Sequence, residues 1–318
     1  MEYNNCGKSG LPFPKISLGL WHNFGDVDDF QEATKMLCTA FDAGITHFDL
    51  ANNYGPPPGS AERNFGKIFS AQLKSHRDEI LISSKAGHLM WDGLYGDGGS
   101  RKSIMASVNQ SLKRTGLDYF DIFYSHRYDP TIAIEETMQA LVDIVKQGKA
   151  LYIGISKYPR EQALKAYQYL ADQHVPCLIY QGKYNMFERA PEKEIFPLNE
   201  EQGVGYIAFS PLAQGLLTNR YLNGIPSDSR IAKGVGFLTE KHVTQDVITK
   251  ISLLNDIAKE RLQSLAEMAL AWVLNNKSTT SVIVGTSSVK QLQDNLNALN
   301  NQKFSQDELQ RINKILEN

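Results

Sequence analysis

Cysteine is scarce in this chain of 318 residues, and the three present, Cys6, Cys38 and Cys177, lie far apart with no CxxC pair. That excludes a disulfide framework and a thiolate metal site, and it fits a reducing compartment. The 7 histidines never fall within four residues of one another and no HExxH occurs, so the spacing offers no metal site. An excess of one charge is also missing: 33 Lys and Arg stand against 35 Asp and Glu, a net charge of -2. Such a balance leaves no electrostatic footprint for nucleic acid or an anionic membrane. No apolar run approaches the roughly 18 residues of a transmembrane span, and Met1 to Gly10 is polar without a basic start. The expectation is a cytoplasmic protein whose partners are small molecules, not nucleic acid or membrane.

The common phosphate-binding motifs are absent as well. Gly93 to Gly99 does not have the GxGxxG spacing, and Gly59 to Lys67 fails as a P-loop because Ile68 stands where Ser or Thr is needed.

What the sequence does contain is a regular alternation. Apolar side chains make up 42% and charged ones 21%, near globular averages, so there is material for a large core. Short β-branched or aromatic runs predict strands at Ile16 to Leu20, Ile45 to Asp49, Ile80 to Ser84, Phe120 to Ser125, Leu151 to Ile155, Leu178 to Gln181, Gly205 to Phe209 and Ser281 to Val284. Most are apolar on both faces, as buried parallel strands are. Between them, stretches such as Phe30 to Ala43, Lys102 to Thr115 and Ile134 to Lys146 carry helical periodicity. Gly44, Gly116, Gly148 and Gly203 follow such stretches where a left-handed cap is wanted. Eight βα units predict a (β/α)8 TIM barrel forming one domain over residues 1–318, with Tyr3 to Pro14 as a hairpin plugging its bottom. The long irregular stretch from Pro211 to about Thr244 follows strand seven and reads as a functional loop.

In a barrel, the C-terminal strand ends face the active-site mouth. Polar residues there are Asp49 at the end of strand two with Tyr54 in the next loop, Lys85 after strand three, His126 after strand four and Gln181 at the end of strand six. Singly each has an ordinary reading: a cap, a packing ring, a solvated lysine, a structural histidine. Together they suit carbonyl reduction, which needs a proton at oxygen as a hydride reaches carbon. A nearby Lys85 is expected to lower the pKa of the Tyr54 phenol, Asp49 to keep that ammonium charged, and His126 to hydrogen-bond the substrate oxygen. Val284 to Ser288, opening a helix after strand eight, is a candidate anion site, with Arg220 and Arg230 of the long loop able to fold over a pyrophosphate.

The segments Gly44 to Asp49 with Tyr54-Gly55, Ser84-Lys85, Ser125-His126-Arg127, Gly154-Ile155-Ser156 and Ser210 to Ala213 stand in the order seen in aldo-keto reductases, which this chain resembles from Ile16 to about Leu316. Through Tyr54 to Glu62 and Tyr95 to Arg101 it is most similar to the bacterial L-glyceraldehyde 3-phosphate reductase branch, with potassium-channel β subunits next. The resemblance implies NADPH-dependent reduction of a small aldehyde or ketone, such as L-glyceraldehyde 3-phosphate or methylglyoxal, with Asp49, Tyr54, Lys85 and His126 catalytic. It further implies that Ser156 and Gln181 hold the nicotinamide carboxamide and Phe209 stacks on the ring. Ser210, Leu212 and Gln214 would line the cofactor channel, Trp21 would wall the substrate pocket, and Arg220 and Arg230 would cover the pyrophosphate. Gly285, Ser287, Gln291, Asp294 and Asn295 would take the adenosine end. Many relatives carry an arginine at the position of Ser288 that grips the 2'-phosphate, a contact of about 1.5 to 3 kcal/mol; here Lys290 and the helix amides are the substitutes. Trp91, Arg101 and Arg127 are candidates for the substrate, the two arginines for a substrate phosphate. Relatives of this branch imply a homo-oligomer, a tetramer or octamer. Two other functions compete: a cofactor-binding redox sensor like the channel subunits, against which His126 argues, and an aldolase with Lys85 as Schiff base, disfavoured because Asp49 keeps the amine charged.

Overall fold

Eight parallel strands close on themselves in the computed structural model, which describes residues 1–222, 224–226, 231–232, 234 and 238–317. A two-stranded hairpin, β1 (Tyr3–Asn5) and β2 (Pro12–Pro14), comes first, paired antiparallel with Asn4 opposite Phe13. The barrel strands follow as β3 (Ile16–Gly19), β4 (His47–Asp49), β5 (Leu81–Ala86), β6 (Phe120–Ser125), β7 (Ala150–Ser156), β8 (Ile179–Lys183), β9 (Gly205–Phe209) and β10 (Ser281–Val284). Each pairs with its sequence neighbour, and β10 closes the ring on β3, where Ser17 and Ser281 hydroxyls meet at 2.7 Å. The expected barrel and plug are therefore present.

The helices around this ring are α1 (Phe30–Asp42), α2 (Ser60–Ile68), α3 (Arg101–Thr115), α4 (Ile134–Lys146), α5 (Arg160–Asp172), the short α6 (Pro191–Glu194), α7 (Phe196–Gln202), α8 (Gln245–Glu260), α9 (Leu265–Asn275), α10 (Val289–Leu296) and α11 (Gln306–Glu317). Among the described residues, none is long and apolar enough to cross a membrane. Side chains buried between strands and helices form the main core, while a second cluster fills the lumen. Within that second cluster Cys6 and Phe13 of the hairpin region pack with Ile122, Leu178, Ile179, Ile207 and Ile283, so the plug is an apolar stopper at one end of the barrel.

Strand β4 begins two residues later than the apolar pattern suggests. The Ile45 amide donates to Ala40 O, and Gly44, at φ 85°, donates to Phe41 O. This closure of the α1 C-terminus takes the Ile45 amide out of the strand ladder. Between helices and sheet lies a buried ion pair: Glu62 of α2 accepts from Arg114 Nε of α3 at 2.6 Å and from Ser84 Oγ of β5 at 2.6 Å. It ties both helices to the residue next to Lys85.

Candidate active site

Asp49 ends β4 and Lys85 is the penultimate residue of β5, so parallel pairing brings them to the same end of the lumen. Lys85 Nζ lies 2.6 Å from Asp49 Oδ2, 2.6 Å from Leu50 O and 3.2 Å from Tyr54 Oη. Both charged side chains are sealed from solvent, at 0% and 2% exposure. The other carboxylate oxygen of Asp49 accepts from Ser83 Oγ at 2.7 Å and from Gln181 Nε2 at 3.2 Å. A buried ion pair persists only when its remaining hydrogen-bonding capacity is met, and Ser83 and Gln181 meet it.

Burial pulls the Lys85 amine down, but the Asp49 carboxylate and then the Tyr54 oxygen outweigh it, and the net direction is upward: the ammonium keeps its proton. For Tyr54 the expected direction is corrected. Burial pushes the phenol up, the Lys85 charge pulls it back, and Asp49 adds to burial, so the hydroxyl ends above its ordinary value and stays protonated at neutral pH. The sequence puts Lys85 within reach of the phenol but does not show how completely the pair is dehydrated.

His126, one residue past β6, is 7% exposed, and its ring centroid is 6.0 Å from that of Tyr54. Burial holds its imidazole well below the ordinary range, helped by Lys85 and Lys157, so it is neutral. His126 Nδ1 is buried without a partner among the described residues. Trp21, just beyond β3, sits 6.4 Å from the Tyr54 ring, centroid to centroid. The loop carrying Tyr54 turns through cis peptide bonds before Pro56 and Pro57.

Ser156 ends β7 with its hydroxyl buried and unpartnered among the described residues. Gln181 is in register with it on β8. Phe209 ends β9, and the next residues coil tightly: Ser210, Ala213 and Gln214 all have φ between 47° and 58°. Three non-glycine residues in left-handed backbone within five positions mark stored strain, a feature of ligand-binding segments. Leu212 packs on the main core, and the Arg220 amide donates to Thr218 Oγ1 at 3.4 Å. Arg230 lies outside the described residues.

At the end of β10, a Cβ added to Gly285 would meet nothing within 4 Å. Ser288 caps α10 by accepting from the Gln291 amide, and Ser287 donates through its amide and hydroxyl to Gln291 Oε1. Lys290, the expected substitute cation, is engaged with Asp294 at 2.9 Å. Asn295 is buried with Nδ2 unpartnered among the described residues. Of the loop candidates, Arg101 pairs with Asp143 of α4, among the outer helices. Arg127 lies at the mouth, donating to Gly87 O at 2.7 Å and to Asp97 at 2.8 Å. Trp91 is half-buried in the loop after β5. Two mouth residues that the sequence reading passed over, His88 and Lys157, touch at 2.8 Å; their separation of 69 positions hides the pair. Among the described residues, no group of three His, Cys, Asp or Glu side chains is placed to hold a metal.

The sequence model of the aldo/keto reductase family matches residues 15–317. The chain is similar to L-glyceraldehyde 3-phosphate reductase from Escherichia coli O157:H7 and from strain K12, 52% identical over 318 residues, covering 99% of this chain and 92% of each relative. It is also similar to a probable voltage-gated potassium channel subunit beta of Arabidopsis thaliana, 38% identical over 306 residues, 94% of this chain and 91% of that one. A closed eight-stranded barrel with a buried Asp-Lys pair against a tyrosine hydroxyl, matched along nearly its whole length, places the chain in the aldo/keto reductase family of NAD(P)H-using oxidoreductases.

Proposed function

We propose that this protein reduces a small aldehyde with NADPH, Tyr54 acting as the proton donor, and that a phosphorylated triose such as L-glyceraldehyde 3-phosphate is the leading substrate candidate. The observation that carries the reading is the contact of Lys85 Nζ with Tyr54 Oη at 3.2 Å while Asp49 holds the same ammonium at 2.6 Å. When bound, a reduced nicotinamide supplies the hydride. Tyr54 gives its proton to the carbonyl oxygen as that oxygen gains charge. Lys85 then stabilises the phenolate being formed, so its charge acts on the transition state even though the resting phenol is a weak acid. His126, neutral, donates a hydrogen bond to the same oxygen.

The residues present fit a dinucleotide. Ser156 Oγ and Asn295 Nδ2, two buried polar atoms without partners among the described residues, suit its carboxamide and adenosine ends, and the open space at Gly285 admits close backbone approach. Gln181, Phe209, Ser210, Leu212, Gln214, Ser287 and Gln291 would complete the cradle.

The test is oxidation of NADPH and of NADH by the purified protein, followed with glyceraldehyde 3-phosphate, methylglyoxal and 4-nitrobenzaldehyde. Saturable turnover with NADPH supports the reading. Tight cofactor binding without turnover of any aldehyde would instead favour a redox-sensing subunit, the alternative suggested by the 38% identical channel-subunit relative.

A further inference from the structure

Three successive strands of the barrel each deliver a nitrogen-bearing side chain just past their C-terminal ends. His88 follows β5 by two residues, Arg127 follows β6 by two, and Lys157 follows β7 by one. The backbone fixes all three. Gly87 turns the β5 loop at φ 138°, a conformation a side chain would strain, and its carbonyl accepts from Arg127 Nε at 2.7 Å. Lys157 is itself held at φ 57°, its amide donating to Gln181 O at 3.2 Å. A lysine kept in left-handed backbone beside a site is unusual enough to need a reason.

The contacts of these groups leave the Lys157 charge without a carboxylate partner. Lys157 Nζ lies 2.8 Å from His88 Nε2, so the ammonium donates to a neutral ring nitrogen, and among the described residues it pairs with no carboxylate. Arg127 pairs with Asp97, itself nearly half exposed, and lies near enough to Asp129 to hold that carboxylate down. Asp49, deeper in the lumen, is taken up by Lys85, and Asp129 accepts from the Gly99 amide and the Thr131 amide and hydroxyl. Lys157 reaches the surface at the rim and His88 is half-buried; partial desolvation first, then Lys85 and Arg127, pulls the Lys157 amine down to about 8, and partial desolvation with Lys157 and Arg127 holds His88 down to about 4. An anion entering here relieves that repulsion.

We infer that His88, Lys157 and Arg127 form an anion pocket at the barrel mouth that receives the phosphoryl group of a phosphorylated aldehyde whose carbonyl lies between His126 and Tyr54. This deepens the carbonyl-reduction reading and rests on it. The span agrees. The His88 ring stands edge-on to His126 at 4.5 Å, and His126 is 6.0 Å from Tyr54. In a three-carbon aldehyde phosphate the carbonyl carbon and the phosphorus are roughly 5 Å apart by ordinary bond lengths. The pocket selects substrates in place of driving the chemistry, since none of its three groups is bonded to Tyr54 or Lys85.

The experiment compares glyceraldehyde 3-phosphate with unphosphorylated glyceraldehyde, using wild type, Lys157→Met, Lys157→Arg and His88→Phe, each saturated with NADPH. In Lys157→Met the preference for the phosphorylated substrate, as the ratio of kcat/KM values, falls roughly tenfold to a hundredfold, carried by KM, as expected for loss of a charge-assisted contact. Lys157→Arg restores most of it, and His88→Phe loses part. As a readout without turnover, glycerol 3-phosphate raises the Tm of the wild-type NADP+ complex and not that of the Lys157→Met complex. An unchanged substrate ratio in Lys157→Met, or equal protection of both proteins by glycerol 3-phosphate, overturns the anion pocket while leaving aldehyde reduction standing. Wild type that reduces neither aldehyde overturns the underlying reading instead.

Discussion

The Lys85 ammonium sits 2.6 Å from the Asp49 carboxylate with both side chains closed off from water. Removing one member strands the other as an uncompensated buried charge, at about 3 to 5 kcal/mol, whereas removing both need not. Asp49→Asn and Lys85→Met are each expected to lower the urea midpoint strongly, and Asp49→Asn combined with Lys85→Met to recover much of it. All three lose turnover. Additive destabilisation in the double variant would show that the two groups are not the coupled pair described.

Tyr54→Phe removes a single oxygen and leaves the ring that faces Trp21 and His126. If the phenol is the acid, turnover falls by about 10² to 10⁴, while nicotinamide affinity, measured by quenching of protein fluorescence, stays within about a factor of three. Near-normal kcat sinks the assignment.

If a 2'-phosphate seats at the start of α10, cofactor choice turns on Ser288, which caps that helix through the Gln291 amide. Ser288→Arg offers a guanidinium for a 2'-phosphate. It is expected to tighten NADPH over NADH by about tenfold or more. The lost cap lowers stability by about 1 kcal/mol. Titration of both nucleotides against variant and wild type reads the first effect, and thermal melting the second. No change in the NADPH to NADH ratio would place the 2'-phosphate elsewhere.

Acid sensitivity is expected from His47, buried against Phe13 and 3.0 Å from Ser83 Oγ. Burial holds its imidazole down to about 4, from an ordinary 6.5. A base whose folded value is depressed is neutral in the native state. Its contribution is therefore complete above pH 6.5 and is lost as pH falls toward 4, by about 3 kcal/mol in all. Urea unfolding of wild type and His47→Gln at about pH 7 and about pH 5 should show a smaller acid-induced loss in the variant. Equal losses would assign the acid response to other groups, His88 and His126 first.

The barrel was readable in the sequence because its strands are buried on both faces and appear as short apolar runs; β6, β9 and β10 begin and end where those runs do. Asp49, Tyr54, Lys85 and His126 were readable because strand ends in a parallel barrel all open on one side. Less accessible was anything made by contacts across the ring. Nothing local in the sequence joins Glu62 to Arg114, Gln181 to Asp49, or His88 to Lys157, since each pair forms only when distant turns of the barrel are brought together. The direction of the Tyr54 shift was missed for a related cause: proximity to a cation can be guessed from order along the chain, but the depth of dehydration depends on the walls around it.

The stopper formed by Cys6 and Phe13 turns the barrel from a tube into a cup. Whatever reacts beside Tyr54 has one doorway, so a molecule seated deeper must arrive before, and depart after, one seated nearer the rim.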